Sequence, residues 1–344
     1  MSASGLRDDR VRLRHGAGGR AMRDLVRELF VPGEGERVDG IGLDALDDGA
    51  AIRVGDRWLV VTTDAHVIQP VFFPGGDIGR LAVCGSVNDL AVMGATEIAA
   101  LTCAVVLEEG YPQADLARIT RSLHAACKEA RAPLVSGDTK VMRRGEVDGI
   151  VLCTTAVGFA ARPVSDAGLR PGDRLVVSGM LGDHGFAVLA AREDLELGDA
   201  LASDVAPLRE LVATALGAVG EDLVAMKDPT RGGLAGALHE MAEKSGVGVV
   251  LDERALPLRE EVRAASELLG IDPLHVANEG KAVMGVAPAR AEALVEALRG
   301  HPLGRDAAIV GTCVDAHRGS VVVDTGIGRR LLDELEGEPL PRIC

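Results

Sequence analysis

The chain has 344 residues, enough for two domains that each bury a core, and it is 47% hydrophobic but only 2% aromatic. Its net charge of −15 argues against broad binding of nucleic acids or anionic membranes. The N-terminus does not resemble a signal peptide, no apolar run of 18 residues is free of charge, and the six cysteines form no CxxC pair, so we predict a soluble protein of the reducing cytoplasm.

The first half of the sequence alternates between helix-like and strand-like segments. After a basic segment and the glycine-rich run HGAGGR at 15–20, hydrophobic periodicity predicts helices at 21–30, 77–93 and 113–130. Strands are predicted at 58–64, 97–107, 133–139 and 149–159.

The second half follows a segment with two prolines and two glycines, 162–173, which we predict as the domain boundary. Strands are expected at 174–178, 247–251, 282–287, 307–314 and 320–324, and helices near 207–218, 258–269 and 288–299. Turns at 182–185 and 227–233 open two further helices. The alternation indicates an α/β or α+β protein without deciding its topology.

Four aspartates lie at strand ends or helix starts beside small residues: Asp48, Asp64, Asp89 and Asp228. Any one of them is most simply a capping or turn residue. Four on distant turns suggest a shared use, because clustered carboxylates repel unless a divalent cation lies among them. Mg²⁺ with a polyphosphate fits this pattern, and Lys140 and Arg231 could contact the phosphate oxygens. A P-loop is excluded, since no GxxxxGK[ST] motif is present.

The sequence ends on Pro-Arg-Ile-Cys, which places a thiol and the α-carboxylate on the same final residue, Cys344. The acidic, proline-containing segment 333–341 has no core pattern, as is typical of a mobile terminus. A thiol on such an arm could visit a pocket of its own chain and then a partner, although a frayed end is the simpler interpretation. The other cysteines are assigned to the core: Cys84, Cys103, Cys127, Cys153 and Cys313.

Five segments together resemble the ATP-binding signature of the aminoimidazole-ribonucleotide synthetase superfamily, which includes selenophosphate synthetase and thiamine-monophosphate kinase. They are DDGAA at 47–51, TTD at 62–64, NDLAVMG at 88–94, SGDTK at 136–140 and DPTRGG at 228–233. Within that superfamily, HGAGG at 15–19, GDHG at 182–185 and the terminal PRIC resemble the HypE family of hydrogenase maturation factors. The resemblance covers residues 12 to 324 and the C-terminus.

This resemblance implies a PurM-like two-domain fold of α+β and α/β type. Residues 1–161 would form the ATP-binding domain, whose sheet pairs with that of a second subunit in a homodimer. Residues 162–328 would form the C-terminal α/β domain, and residues 329–344 a mobile tail that ends in the acceptor cysteine. ATP would lie in the groove between the two domains.

The resemblance also implies a lyase, which dehydrates a carbamoyl group on Cys344 to a thiocyanate with ATP. The carbamoyltransferase HypF would load Cys344, and a HypC–HypD complex would receive the cyano group for the iron of nickel-iron hydrogenase.

By resemblance, the four aspartates would bind Mg²⁺ on the triphosphate. The remaining contacts to the nucleotide fall on Asp47, Thr63, Asn88, Asp138, Thr139 and Arg231. Lys140 would stabilise the transferring phosphoryl group, and Glu279 is the predicted base, with His184 as the alternative. The structural alternatives are that Lys140 is a surface lysine, that Glu279 is a turn carboxylate, and that His184 is a capping or packing histidine.

Two other functions compete. One is a different enzyme of the superfamily, although no cysteine precedes Cys84 in the position expected of a selenophosphate synthetase. A thiamine-monophosphate kinase gives no reason for a terminal cysteine. The other is a non-catalytic carrier that binds ATP as a switch.

Overall fold

The computed structural model of the chain describes residues 10–31, 38–195, 201–335 and 343, so that Cys344 lies outside the described residues. In these ranges eight α-helices surround two large β-sheets. The helices are α1 (Arg20–Leu29), α2 (Ile78–Val92), α3 (Gln113–Ala130), α4 (Asp183–Arg192), α5 (Arg209–Val219), α6 (Gly233–Ser245), α7 (Glu260–Leu269) and α8 (Ala291–Arg299). Across the described ranges, we find no helix with the length and apolar character needed to cross a bilayer.

The first sheet is built from residues of the N-terminal half in the order β1-β2-β3-β8-β6-β7. Its strands are β1 (Gly40–Ile41), β2 (Ala50–Val54), β3 (Arg57–His66), β6 (Glu97–Glu108), β7 (Leu134–Met142) and β8 (Ile150–Ala160), and a separate short pair is β4 (Phe72–Phe73) with β5 (Gly76–Asp77). β6, α3 and β7 form a crossover unit whose two strands are parallel. This unit places β7 at the edge of the sheet, where residues 135–141 are exposed.

The second sheet has the order β10-β12-β9-β13-β11-β14-β15 and is mostly antiparallel. Its strands are β9 (Arg174–Val177), β10 (Leu223–Lys227), β11 (Gly248–Asp252), β12 (Val283–Val286), β13 (Ala308–Val314), β14 (Val321–Asp324) and β15 (Arg329–Leu332). β15 pairs with β14 and buries Leu332, whereas the sequence prediction began a mobile tail at residue 329. The chain therefore stays in the sheet for at least four residues beyond that boundary.

Helix α2 connects the two halves of the molecule. Asp77 caps its N-terminus, since the Asp77 carboxylate accepts hydrogen bonds from the backbone N–H groups of Gly79 and Arg80. Almost every residue of α2 is buried, since one side packs on the first sheet and another on residues of the second half. A helix that is buried all round fixes the position of both halves, and with it the cleft between them.

Candidate active site

A cleft of about 290 Å³ lies between the two halves and collects most of the residues that the sequence singled out. Its lining includes the four aspartates predicted to bind metal, which we call the four cleft aspartates: Asp48, Asp64, Asp89 and Asp228. It also includes Asp47, Thr63, Arg231 and Glu279. Predicted residues up to 232 positions apart in the chain (47 to 279) thus line a single cleft.

Local structure explains how these carboxylates reach the cleft. Asp48 precedes β2, Asp64 lies near the end of β3, and Asp89 lies on α2. The Thr62 hydroxyl lies 2.7 Å from the Asp89 carboxylate and 3.0 Å from the carbonyl oxygen of Asp48. The Thr62 hydroxyl therefore links the segment before β2 to helix α2.

The turn after β10 brings the remaining aspartate to the opposite wall. Gly232 and Gly233 both have positive φ angles, 78° and 62°, which favour glycine over residues with a Cβ atom. A Cβ atom on Gly233 would also lie 2.5 Å from the carbonyl oxygen of Leu274. These glycines allow the chain to turn sharply into α6, so that Asp228 and Arg231 face the cleft.

The acids of the cleft influence one another electrostatically. Burial, with repulsion by Asp64 and the other cleft aspartates, raises the pKa of Asp89 well above its ordinary value. Burial raises the pKa of Asp228 to about 6, although Lys227 opposes the shift. Burial likewise raises the pKa of Glu279 well above the ordinary value, and Asp228 adds to the shift. Because burial and mutual repulsion disfavour the ionised forms of these acids, a bound cation would stabilise their carboxylates.

The donor set suits a magnesium ion that also binds phosphate. Asp48 and Asp228 each have a buried carboxylate oxygen without a hydrogen-bond partner in the described structure. Among the described residues, no three metal-ligating side chains converge into a preformed cage. Mg²⁺ keeps several waters and binds substrate phosphates besides carboxylates, so it does not need a preformed cage of protein ligands, which fits both observations.

A buried cluster of cations and acids lies beside these aspartates, and the sequence interpretation missed it. The Lys227 ammonium contacts Asp48 and lies 3.3 Å from carboxylate oxygens of both Asp166 and Glu240. Arg23 of α1 contacts Glu240 at 3.1 Å, which holds that helix over the cleft. The only sequence signal for a role of Lys227 was its position directly before the DPTRGG segment.

Replacement of Lys227 by Met should destabilise the fold, because it leaves buried carboxylates without their cation. We expect a loss of about 3–5 kcal/mol in the free energy of unfolding at neutral pH, measured by urea denaturation. Lys128→Met, on the exposed face of α3, is the matched control and should change little.

The pH dependence of this loss provides a further check. Burial raises the pKa of Glu240, but Lys227 and Arg23 outweigh that effect and the net shift is downward from 4.5. A lowered pKa stabilises the fold above about pH 4.5, and the stabilisation is lost as the pH falls. The difference between wild type and Lys227→Met should therefore shrink below that pH, and a difference that is constant with pH would contradict the assignment.

Glu279, the predicted base, is 3% exposed and is held by its backbone. Its N–H group donates to the Asp204 carboxylate at 3.0 Å, and its carbonyl oxygen accepts from the Asn88 amide at 3.1 Å. Its Oε1 atom is buried and has no hydrogen-bond partner among the described residues. The side chain is thus positioned in the cleft with one oxygen available for a ligand.

Not every predicted residue lies in this cleft. The Asn88 amide binds the backbone of Ala206, Leu208 and Glu279, so it links the two halves and is not among the lining residues. Three further predicted residues are exposed on the edge strand β7, outside the cleft of the same chain: Asp138, Thr139 and Lys140. His184 is fully buried with partners at both ring nitrogens, and Cys344 lies outside the described residues.

A buried histidine is a further lining residue that the sequence interpretation missed. His66 is 5% exposed at the end of β3, two residues after Asp64, and its Nδ1 atom has no hydrogen-bond partner in the described structure. A Cβ atom on Gly85 would approach the His66 Nε2 atom to 2.6 Å, so this glycine lets the ring pack against α2. Only the proximity of His66 to the TTD segment in the sequence could have indicated it.

Two family models match the chain. That of the N-terminal domain of AIR synthase related proteins covers residues 46–160, and that of the C-terminal domain covers residues 170–324. Together they span more than half of the sequence, one on each side of the cleft.

Known proteins resemble the chain over its full length. It is 50% identical over 349 aligned positions to the carbamoyl dehydratase HypE of Azotobacter vinelandii, which covers 100% of both chains. A crystal structure of a HypE–HypF complex matches with a TM-score of 0.84 and 40% identity, over 92% of this chain and 100% of that one. A crystal structure of HypE in complex with ATP matches with a TM-score of 0.81 and 40% identity, over 96% and 99%.

Proposed function

The chain belongs to the HypE family of carbamoyl dehydratases, and we propose that it converts an S-carbamoyl group on its own Cys344 to a thiocyanate with ATP. Such a lyase supplies the cyanide ligand for the iron of nickel-iron hydrogenase during maturation. The observation that carries the proposal is the cleft, where four aspartates face space for a metal polyphosphate and Glu279 keeps an unpartnered oxygen in the described structure.

The chemistry explains why ATP is needed. The oxygen of a carbamoyl group does not leave as hydroxide at neutral pH, so it must first become part of a better leaving group. Transfer of the γ-phosphoryl group to that oxygen gives a phosphate ester and ADP. Removal of the two N–H protons and breakage of the C–O bond then release phosphate, while the S–C bond stays intact and a C≡N bond forms.

The four cleft aspartates would hold Mg²⁺ on the triphosphate, where the ion neutralises charge when bound. Support comes from the buried, unpartnered oxygens of Asp48 and Asp228 and from the raised pKa of Asp89. Arg231, Asp47 and Thr63 line the same cleft and would contact the nucleotide. An ATP complex is known for a HypE of similar structure.

Glu279 would act as the general base that removes the N–H protons. Its burial raises its pKa, which makes the carboxylate a stronger base than an exposed glutamate. Asp204 and Asn88 hold the backbone on either side of it, so the side chain needs no rearrangement of the loop to act. The carboxyl group is thus suited in both position and proton affinity.

Lys140 does not line the cleft of its own chain, so in this proposal it would reach the nucleotide of a second subunit. It lies with Asp138 and Thr139 on the exposed strand β7, whose outer edge has no neighbouring strand in the described chain. An exposed strand edge pairs readily with another chain. We propose that two copies associate through the first sheet and that these three residues act across that interface.

The dimer can be tested with one charged substitution. Val141 is 61% exposed on β7, and a lysine there should oppose pairing of the strand. We expect wild type to sediment as a dimer at micromolar concentration and Val141→Lys as a monomer, whereas Leu268→Lys on α7 (Leu268 is 70% exposed) should remain dimeric. A monomeric wild type that binds ATP fully would contradict the arrangement.

Partners follow from the same proposal. HypF would load the carbamoyl group, in line with the known structure of a HypE–HypF complex. A HypC–HypD iron complex would accept the cyano group, and the whole sequence of steps would take place in the cytoplasm.

Mass spectrometry of the C-terminal peptide tests the function directly. The protein would be incubated with Mg²⁺, ATP, carbamoyl phosphate and HypF, and the peptide containing Cys344 isolated. We expect a carbamoyl adduct without ATP and a cyano group in place of the thiol hydrogen with ATP. A carbamoyl adduct that persists unchanged while ATP is bound would favour the carrier function over the enzyme.

A further inference from the structure

The described residue nearest the C-terminus is docked in the interior of the protein. Ile343 is 1% exposed, and its side chain belongs to the hydrophobic core around α2. Its carbonyl oxygen lies 2.7 Å from the Nε2 atom of His184, which is fully buried at the start of α4. The other ring nitrogen, Nδ1, lies 2.7 Å from the Ser203 hydroxyl. We call these three residues the tail latch.

The hydrogen bonds determine the tautomer of His184. A carbonyl oxygen only accepts, so Nε2 must carry the hydrogen and donate it to Ile343. The Ser203 hydroxyl oxygen accepts from the N–H group of Val205 at 3.1 Å, which leaves its own hydrogen for Nδ1. Burial lowers the pKa of His184, in agreement with a neutral ring. Both nitrogens are thus engaged, and neither faces a reacting group as a base.

The same loop that holds His184 also holds the proposed base. Asp204, directly after Ser203, accepts from the backbone N–H groups of Glu279 and Gly280 and pairs with Lys281 at 2.8 Å. The His184 ring also packs against Phe73 in a T-shaped contact, with 5.5 Å between ring centroids. The position of Ile343 is therefore coupled through two adjacent loop residues to the position of Glu279.

We infer that the tail latch of His184, Ser203 and Ile343 fixes the end of the chain for the dehydration step, and that His184 is a positioning residue and not the base. The contacts of the latch are independent of the proposed function, and only their role in the dehydration step rests on it. The apolar pocket recognises the side chain before the terminal cysteine, and the imidazole recognises its carbonyl group. Together these two contacts would fix Ile343 in one register, and so determine that Cys344 is the residue presented to the site.

Two substitutions remove opposite partners of this contact. His184→Phe keeps an aromatic ring but lacks the donor, and Ile343→Ala removes most of the buried side chain at the chain end, where unfolding is least expected. His184→Gln is the conservative variant, since its amide N–H can still donate to the Ile343 carbonyl.

The first measurement needs neither ATP nor a partner. Alkylation of Cys344 by iodoacetamide is followed by the mass of the C-terminal peptide, and its rate reports how often the end of the chain leaves the latch. We expect alkylation about tenfold faster in His184→Phe and in Ile343→Ala, and near the wild-type rate in His184→Gln. Equal rates in all four proteins would overturn the latch.

The second measurement separates positioning from base catalysis. Cys344 is loaded chemically with cyanate, and conversion to the cyano form is followed after addition of Mg²⁺ and ATP. If His184 is a positioning residue, the substitution His184→Phe should slow formation of the cyano group about tenfold and leave the pH dependence of the rate unchanged. Loss of a base would cost about 10²–10⁴-fold and remove a pKa from the profile, with alkylation unchanged, and this result would overturn the inference. If wild type forms no cyano group but the alkylation rates differ as expected, the latch stands and the proposed function fails.

Discussion

Cys344→Ala is expected to abolish formation of the cyano group while the fold, the dimer and binding of Mg²⁺ and ATP persist. The thiol is the atom that carries the substrate, so no other side chain can replace it. The five other cysteines are poor substitutes: Cys84, Cys103, Cys127 and Cys313 are buried and Cys153 is partly buried. Burial raises the pKa of Cys84 and of Cys313 to about 12, which suppresses the reactive thiolate.

The measurement is the mass of every cysteine-containing peptide after incubation with HypF, carbamoyl phosphate, Mg²⁺ and ATP. Cys313→Ala is the matched control, because it removes a buried cysteine of the second sheet that lies in a different hydrophobic cluster from Ile343, and it should form the cyano group normally. Extension of the chain by a few residues after Cys344 should also impair the reaction, since the thiol would no longer be terminal. A cyano group on another cysteine, or in Cys344→Ala, would disprove the role of the C-terminus.

Asp64→Asn is expected to weaken binding of Mg²⁺-ATP by at least about 100-fold, as for loss of a direct metal ligand. The substitution keeps the size of the side chain but removes the charge that compensates the cation. Asp64 is only partly buried and lies within β3, where it does not cap a helix. The fold should therefore persist without the charge of its carboxylate. Binding would be measured by calorimetry and the fold by circular dichroism.

Asp56→Asn provides a control on the same β-hairpin, because Asp56 is exposed in the turn between β2 and β3 and outside the cleft. It should bind Mg²⁺-ATP like wild type. Chelation of the metal should reduce ATP binding by wild type to the level of Asp64→Asn without a further effect on the variant. Wild-type affinity in Asp64→Asn would return this aspartate to the role of an ordinary turn residue.

Local sequence predicted most elements of secondary structure, because helical and strand periodicity are properties of neighbouring residues. The helix predicted at 113–130 is α3 with the same bounds, and its buried residues Ile119, Leu123 and Cys127 recur every four positions. The strand β10, five residues between a helix and a turn, was missed since so short a segment shows no clear alternation. β15 was missed because Arg329 and Arg330 made it resemble a polar terminus.

The ordered motifs also predicted the family, which the full-length relatives confirm, and they identified the four cleft aspartates as one set. The resemblance assigns small residues and acids at turns to polyphosphate binding, and the structure brings these four aspartates to one cleft. Sequence alone could not separate residues that share the cleft from residues that carry the same signature on an open edge, such as Lys140. That difference depends on which strand lies at the edge of the sheet, and no local sequence pattern predicts the order of the strands.

Only the tertiary structure decided the remaining features of the site. The pairing of Lys227 with Asp48 joins residues 179 positions apart, and the contact of His184 with Ile343 joins residues 159 apart. Such contacts arise when two separate sheets are packed on α2, so their partners leave no periodic or compositional signal. The sequence thus determined the chemistry available to this protein, and the packing of its two halves decided which groups are compensated, which are open to a ligand and where Ile343 is docked.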